Sequence, residues 1–131
     1  MAEQQRKRQR ASRPSAEDLL HKARFIMHDD PFKERAPQAE DKHFRALFGC
    51  SVIVALTLWT MMLDHDLLPV NATITHLLWT LMYLKVYPTE SAMQRMTKVD
   101  PKTSRKYVSI MLSHISLLEP YVVSLLFDLP A

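Results

Sequence analysis

Gly49 is the only glycine among 131 residues. That scarcity constrains the fold more than any periodic pattern does. Tight β-hairpin turns place residues at positive φ, where glycine is the low-strain choice. A chain with one glycine is therefore poorly equipped for an all-β fold. It also has no glycine-rich loop to cradle phosphates, so nucleotide binding of that kind has no support. Leucine and methionine, both good helix formers, are plentiful instead. With 47% apolar residues the chain can fill a core, and its length suits one compact domain plus a tail. The expected fold is all-α, a small helical bundle preceded by a disordered basic tail.

Charge is segregated along the chain. The formal net charge is only +3. Yet Arg6, Lys7, Arg8, Arg10 and Arg13 crowd the start against Glu3, and Lys85, Arg95, Lys98, Lys102, Arg105 and Lys106 form a second group against Glu90 and Asp100. The middle, from Phe44 to Thr80, is nearly uncharged. Such segregation suits a polyanionic partner. Cys50 is the only cysteine, which rules out an internal disulfide or a cysteine-rich zinc site and fits a reducing intracellular compartment. The charged N-terminus is followed by no apolar signal core. The run Arg6–Arg10 reads either as a nuclear import signal or DNA-contacting arm, or as a solvated tail. The expected location is nuclear, otherwise cytoplasmic.

Periodicity and capping residues then divide the chain. Ser15, with Asp18 three residues later, predicts a capped helix over about 15–30, with Leu19, Leu20, Ala23, Ile26 and Met27 as its apolar stripe. Asp30-Pro31 ends it, and the charged stretch from Pro31 to Glu40 reads as a linker. A short helix follows over Asp41–Phe48, and Gly49 breaks it. Ser51 caps an apolar helix from Val52 to about Leu63, too short for a span of roughly 20 apolar residues and so read as a buried core helix. Thr73 or Thr75 starts a helix to about Tyr87, with Leu77, Leu78, Leu81, Met82 and Leu84 turned inward; Pro88 stops it. Thr89 caps a short helix over Glu90–Thr97. Asp100 caps a longer one, with Pro101 at its favoured first position, running to about Leu118. The expected domains are a tail over 1–40, a helical domain over 41–119, and an apolar remnant over 120–131 where a further domain would join.

A short helix, a three-residue turn and a longer helix make the layout of a helix-turn-helix, placed here at about 74–118. On the longer helix, Lys102, Arg105, Lys106, Ser109 and Ser113 share one face, while Val108, Met111, Leu112, Ile115 and Leu118 share another. Cations in the first turns are where a recognition helix reaches base edges. The candidate DNA-binding residues are Lys102, Thr103, Arg105, Lys106 and Ser109, with Arg95 and Lys98 on nearby phosphate and Arg6, Lys7, Arg8 and Arg10 as a basic arm. The competing reading is an ordinary solvated helix face.

The stretch Phe44–Ser51, then Trp59, then Ile74–Tyr87, then Val99–Thr103 and Arg105–Tyr107 resembles the N-terminal helical region of Harbinger-type transposases, the DDE superfamily endonucleases. The resemblance covers about three fifths of the chain, from Phe44 to Glu119. It implies a helix-turn-helix that recognises transposon-end DNA. Ser104 departs from it, standing where the family has a bulky aromatic on the core side, which is expected to loosen the recognition helix. Pro101 replaces a more usual polar residue. The family's nuclease domain follows this region and needs three acidic residues to hold divalent metal. Here Asp128 is the only acid after Glu119. The expectation is thus a truncated transposase-like DNA-binding module that is not an enzyme, with no metal, cofactor, small-molecule substrate or membrane. Asp64-His65-Asp66 reads as a helix end, and the six histidines show no ligand spacing. Two rival functions remain open: a protein-interaction or dimerisation module using the apolar 120–131 segment, and a non-functional transposon remnant.

Overall fold

The computed structural model describes residues 14–27 and 37–122. They form six α-helices: α1 (Ala16–Ile26), α2 (Pro37–Phe48), α3 (Val52–Asp64), α4 (Ile74–Val86), α5 (Glu90–Thr97) and α6 (Pro101–Ser116). No strand occurs among the described residues, so the protein is all-α as its composition predicts. Residues 119–122 turn helical again. The N-terminal basic arm and most of the 120–131 segment lie outside the described residues.

The helix starts follow from their caps. Ser15 and Asp18 form a reciprocal capping box: the Asp18 amide donates to Ser15 Oγ, and the Ser15 amide to Asp18 Oδ2. Hydrogen bonds from Ser15 hold the Asp18 carboxyl below its ordinary pKa. Ser51 and Thr89 accept the amides of Val54 and Ala92. The helix ends show what a chain does without glycine. Besides Gly49, Asp66, Asn71, Tyr87 and Lys98 all sit at positive φ among the described residues. Tyr87 and Lys98 are the C-caps of α4 and α5. A side chain there costs roughly 1–2 kcal/mol that glycine would avoid.

Helix α4 is the hub. It packs against α6, α2, α1 and α3, while α1 also packs on α3, and α5 on α6. Leu77, Leu78 and Met82 are fully buried on it, and Ile74 and Trp79 nearly so. Phe44 and Phe48 of α2, Trp59 and Met62 of α3, and Val108 and Met111 of α6 close around this helix.

Four expectations change. First, α1 belongs to the bundle: Leu19 and Ala23 are fully buried and Ile26 nearly so. Burying each of the two larger side chains contributes roughly 1.5–3 kcal/mol, so packing does not divide the chain near residue 41. Second, α2 begins at Pro37 rather than Asp41. Pro37-Gln38-Ala39-Glu40 looks like linker in sequence, but Glu40 near the positive helix end favours helix. Third, α3 is only partly buried. Ala55, Trp59 and Met62 face the core, while Ile53 is 73% and Val54 54% exposed. Leu84 on α4 is likewise exposed. Fourth, Tyr121 packs on the bundle itself, its ring stacked on His65 at 3.8 Å between centroids. No single helix among the described residues is long and apolar enough to cross a membrane; Ala39–Phe48 and Val52–Asp64 pass such a test only as a pair, bent by 55°.

Candidate nucleic-acid interface

The α5–α6 junction is built from local rules. Lys98 ends α5 in the left-handed conformation, its amide donating to Gln94 O. Asp100 then caps α6. Its Oδ1 accepts the Thr103 amide at 2.8 Å, and its Oδ2 the Thr103 hydroxyl at 3.1 Å. These two bonds from Thr103 hold the Asp100 carboxyl below its ordinary pKa. Pro101 occupies the first helical position, as expected.

The predicted face is real as geometry. Lys102, Arg105, Lys106, Ser109 and Ser113 are all exposed, and Arg95 and Lys98 are exposed beside them. Helical spacing places the α6 residues on one side. Ser104, Val108 and Met111 are buried on the other. Thr103 does not join this surface freely. It is half-buried, and its hydroxyl proton goes to Asp100. Arg6, Lys7, Arg8 and Arg10 lie outside the described residues.

Arg105 is engaged within the protein. Its Nη1 donates to Glu90 Oε1 at 2.6 Å, and its Nε to the Pro101 carbonyl at 3.2 Å. Glu90 opens α5, so this pair ties the two helices of the motif together. Lys106 Nζ lies 6.0 Å from the Tyr107 ring centroid, at the outer limit of a cation–π contact. Sequence spacing could not reveal the Glu90 contact, because it spans two helices.

Ser104 sits on the core side, fully buried, and its hydroxyl donates to the Pro101 carbonyl at 3.2 Å. It lines a cleft of about 200 Å³ with Tyr83, Pro88, Met93 and Val108, and Glu90 and Arg105 also border it. The space beside a small residue at this position is therefore visible in the packing.

An aromatic group fixes α6 against α4. The His76 ring lies flat on Tyr107, 4.0 Å between centroids and 8° from parallel, and meets Trp79 at 5.1 Å. His76 Nδ1 accepts the Thr73 amide at 3.2 Å, so that nitrogen is unprotonated here. Burial pushes the His76 pKa below its ordinary value. The histidine thus serves the start of α4, as its sequence position suggests. His114 Nδ1 lies 2.8 Å from the Leu67 carbonyl, joining the far end of α6 to the α3–α4 loop. Trp79 Nε1 is buried with no hydrogen-bond partner.

No three His, Cys, Asp or Glu residues among the described ones are grouped to hold a metal. In Asp64-His65-Asp66, His65 is the C-cap of α3 and Asp66 adopts positive φ, as a helix end requires. No protein-family model, curated protein or solved structure matches the chain.

Proposed function

We propose that this chain is a DNA-binding module of transposase-like type, with α6 lying in the major groove of a duplex. The resemblance to Harbinger-type transposases supports this reading. The observation that carries it is the exposed, cation-rich face at the start of α6, presented by a short helix and a three-residue turn. Lys102, Lys106 and Ser109 would approach base edges, and Arg105 a phosphate at the rim of the groove. Arg95 and Lys98 would neutralise phosphates. The proposal is for binding alone and assigns no catalytic step to any residue. Its setting would be the nucleus, where duplex DNA is found.

Fluorescence anisotropy with a random duplex tests the proposal. The three phosphate contacts, Arg95, Lys98 and Arg105, would give a salt slope of about −2.7, or a roughly 40-fold loss of affinity between about 50 and 200 mM salt. Absent or salt-insensitive binding at 50 mM refutes the DNA reading. A protein-interaction role has its own supporting observation. Ile110 of α6 and Leu117, its C-cap, are exposed, 38% and 52%, seven residues apart. Light scattering on the same sample detects the self-association that this second reading requires.

A further inference from the structure

We propose that Glu90 is a built-in competitor for Arg105, which a phosphate of the bound duplex must displace. This inference rests on the DNA-binding reading and adds a regulating residue to it. Three observations carry it. The Glu90–Arg105 pair is short, 2.6 Å, yet both side chains are open to solvent, 63% and 65% exposed. A phosphate oxygen can therefore reach the guanidinium without any change in the fold. Second, the pair and the bond from Nε to the Pro101 carbonyl hold the Arg105 head back against the α5–α6 junction. The side chain must leave both partners before it reaches outward. Third, Arg105 is the one α6 cation held this way. No ion pair to Lys102 or Lys106 occurs among the described residues.

The exchange is electrostatically sensible. An exposed ion pair is weak, because water screens it and two long side chains must be ordered. A phosphate offers the same charge and more acceptor oxygens, so Arg105 can trade carboxylate for phosphate at little loss. Glu90 then keeps a favourable place in the first turn of α5, where the helix dipole welcomes an anion. Glu90 therefore lowers affinity through the work of freeing Arg105, and its effect disappears when Arg105 is absent.

The test is a double-mutant cycle on random-duplex affinity at about 100 mM salt, with the full chain as wild type, Glu90→Gln, Arg105→Ala and both together. Far-ultraviolet circular dichroism confirms that each variant keeps its helix content. Glu90→Gln is expected to tighten binding about 2- to 5-fold, the range an exposed pair can supply. In the Arg105→Ala background the same change is expected to give no gain. A gain that persists without Arg105 overturns the proposal, since Glu90 then acts only as background charge. Unchanged affinity in Glu90→Gln, with wild-type binding intact, overturns it while leaving the DNA reading standing. Binding that appears only on Glu90→Gln, and only with Arg105 present, supports it in its strongest form. No binding by any variant defeats the DNA reading and this inference together.

Discussion

Among the described residues, Arg24–Glu40 and Arg105–Glu90 are ion pairs that join neighbouring helices, and they differ in almost every physical respect. Arg24 of α1 reaches Glu40 of α2 at 2.8 Å, with side chains only 10% and 11% exposed. Arg105 of α6 reaches Glu90 of α5 at 2.6 Å, with side chains more than half exposed. Similar distances conceal opposite roles. The buried pair cannot be broken without stranding a charge in a poor solvent, so it fixes how α1 and α2 meet. The exposed pair has water and any passing anion as substitutes. Burial opposes charge on Arg24, but Glu40 and Glu17 outweigh it and hold its pKa above the ordinary value. Glu40 Oε2 is buried without a partner, which raises the stakes of that site further. An ion pair is architecture or switch according to its surroundings, not its length.

The largest predicted effect tests the buried side of this contrast. Arg24→Ala leaves Glu40 buried and unpaired, and should cost about 3–5 kcal/mol of unfolding free energy. Urea denaturation followed by circular dichroism measures it. Replacing both partners with apolar residues, Arg24→Met with Glu40→Leu, should recover most of that loss. A cost below about 1 kcal/mol for the single change would mean that α1 is less firmly docked than its burial indicates.

Lys98→Gly comes next and separates stability from binding at one position. Glycine relieves the left-handed strain at the end of α5 and should stabilise the fold by about 1 kcal/mol. The same change removes a cation proposed to contact phosphate, so the salt slope of the proposed DNA binding should fall by about one. Greater stability with an unchanged slope would take Lys98 out of the interface.

A pH experiment probes the α4–α6 contact. The His76 pKa is lowered in the folded state, so the unfolded chain binds the proton more readily. The stability linked to this group is present above the ordinary imidazole value of 6.5 and is lost as pH falls through and below it. Melting temperature should drop between about pH 7.5 and pH 5, and His76→Gln should flatten that drop. An identical pH profile in the variant would show that His76 does not carry the dependence.

Much of this architecture was legible in the sequence. Ser15, Ser51, Thr89, Asp100 and Pro101 mark helix starts because capping is a local interaction, and five of the six helices begin beside a cap residue the sequence announces. The exposed face of α6 was equally readable from spacing. What stayed hidden depends on partners distant in sequence. The first turn of α2 imitates a linker because its one charge, Glu40, finds its partner sixteen residues back, at Arg24. Leu84, Ile53 and Val54 look buried by composition, but no helix among the described residues covers them. Arg105 looks like a free groove contact until Glu90, fifteen residues earlier, comes beside it. Local chemistry thus predicts where helices begin, and only packing decides which charges remain available.

The smallest predicted effect is the one that completes the contrast. A double-mutant cycle on folding stability, with Glu90→Ala, Arg105→Ala and both, should give a coupling of only about 0.2–1 kcal/mol. Raising the salt should shrink it, because the two side chains stand in water. Such a value is small against the Arg24–Glu40 site, and that smallness is what lets the pair act as an exchangeable contact. A coupling of several kcal/mol would mean that the α5–α6 junction needs the pair to hold its shape. Releasing Arg105 to a phosphate would then cost fold stability, and Glu90 would belong with Glu40 as part of the framework.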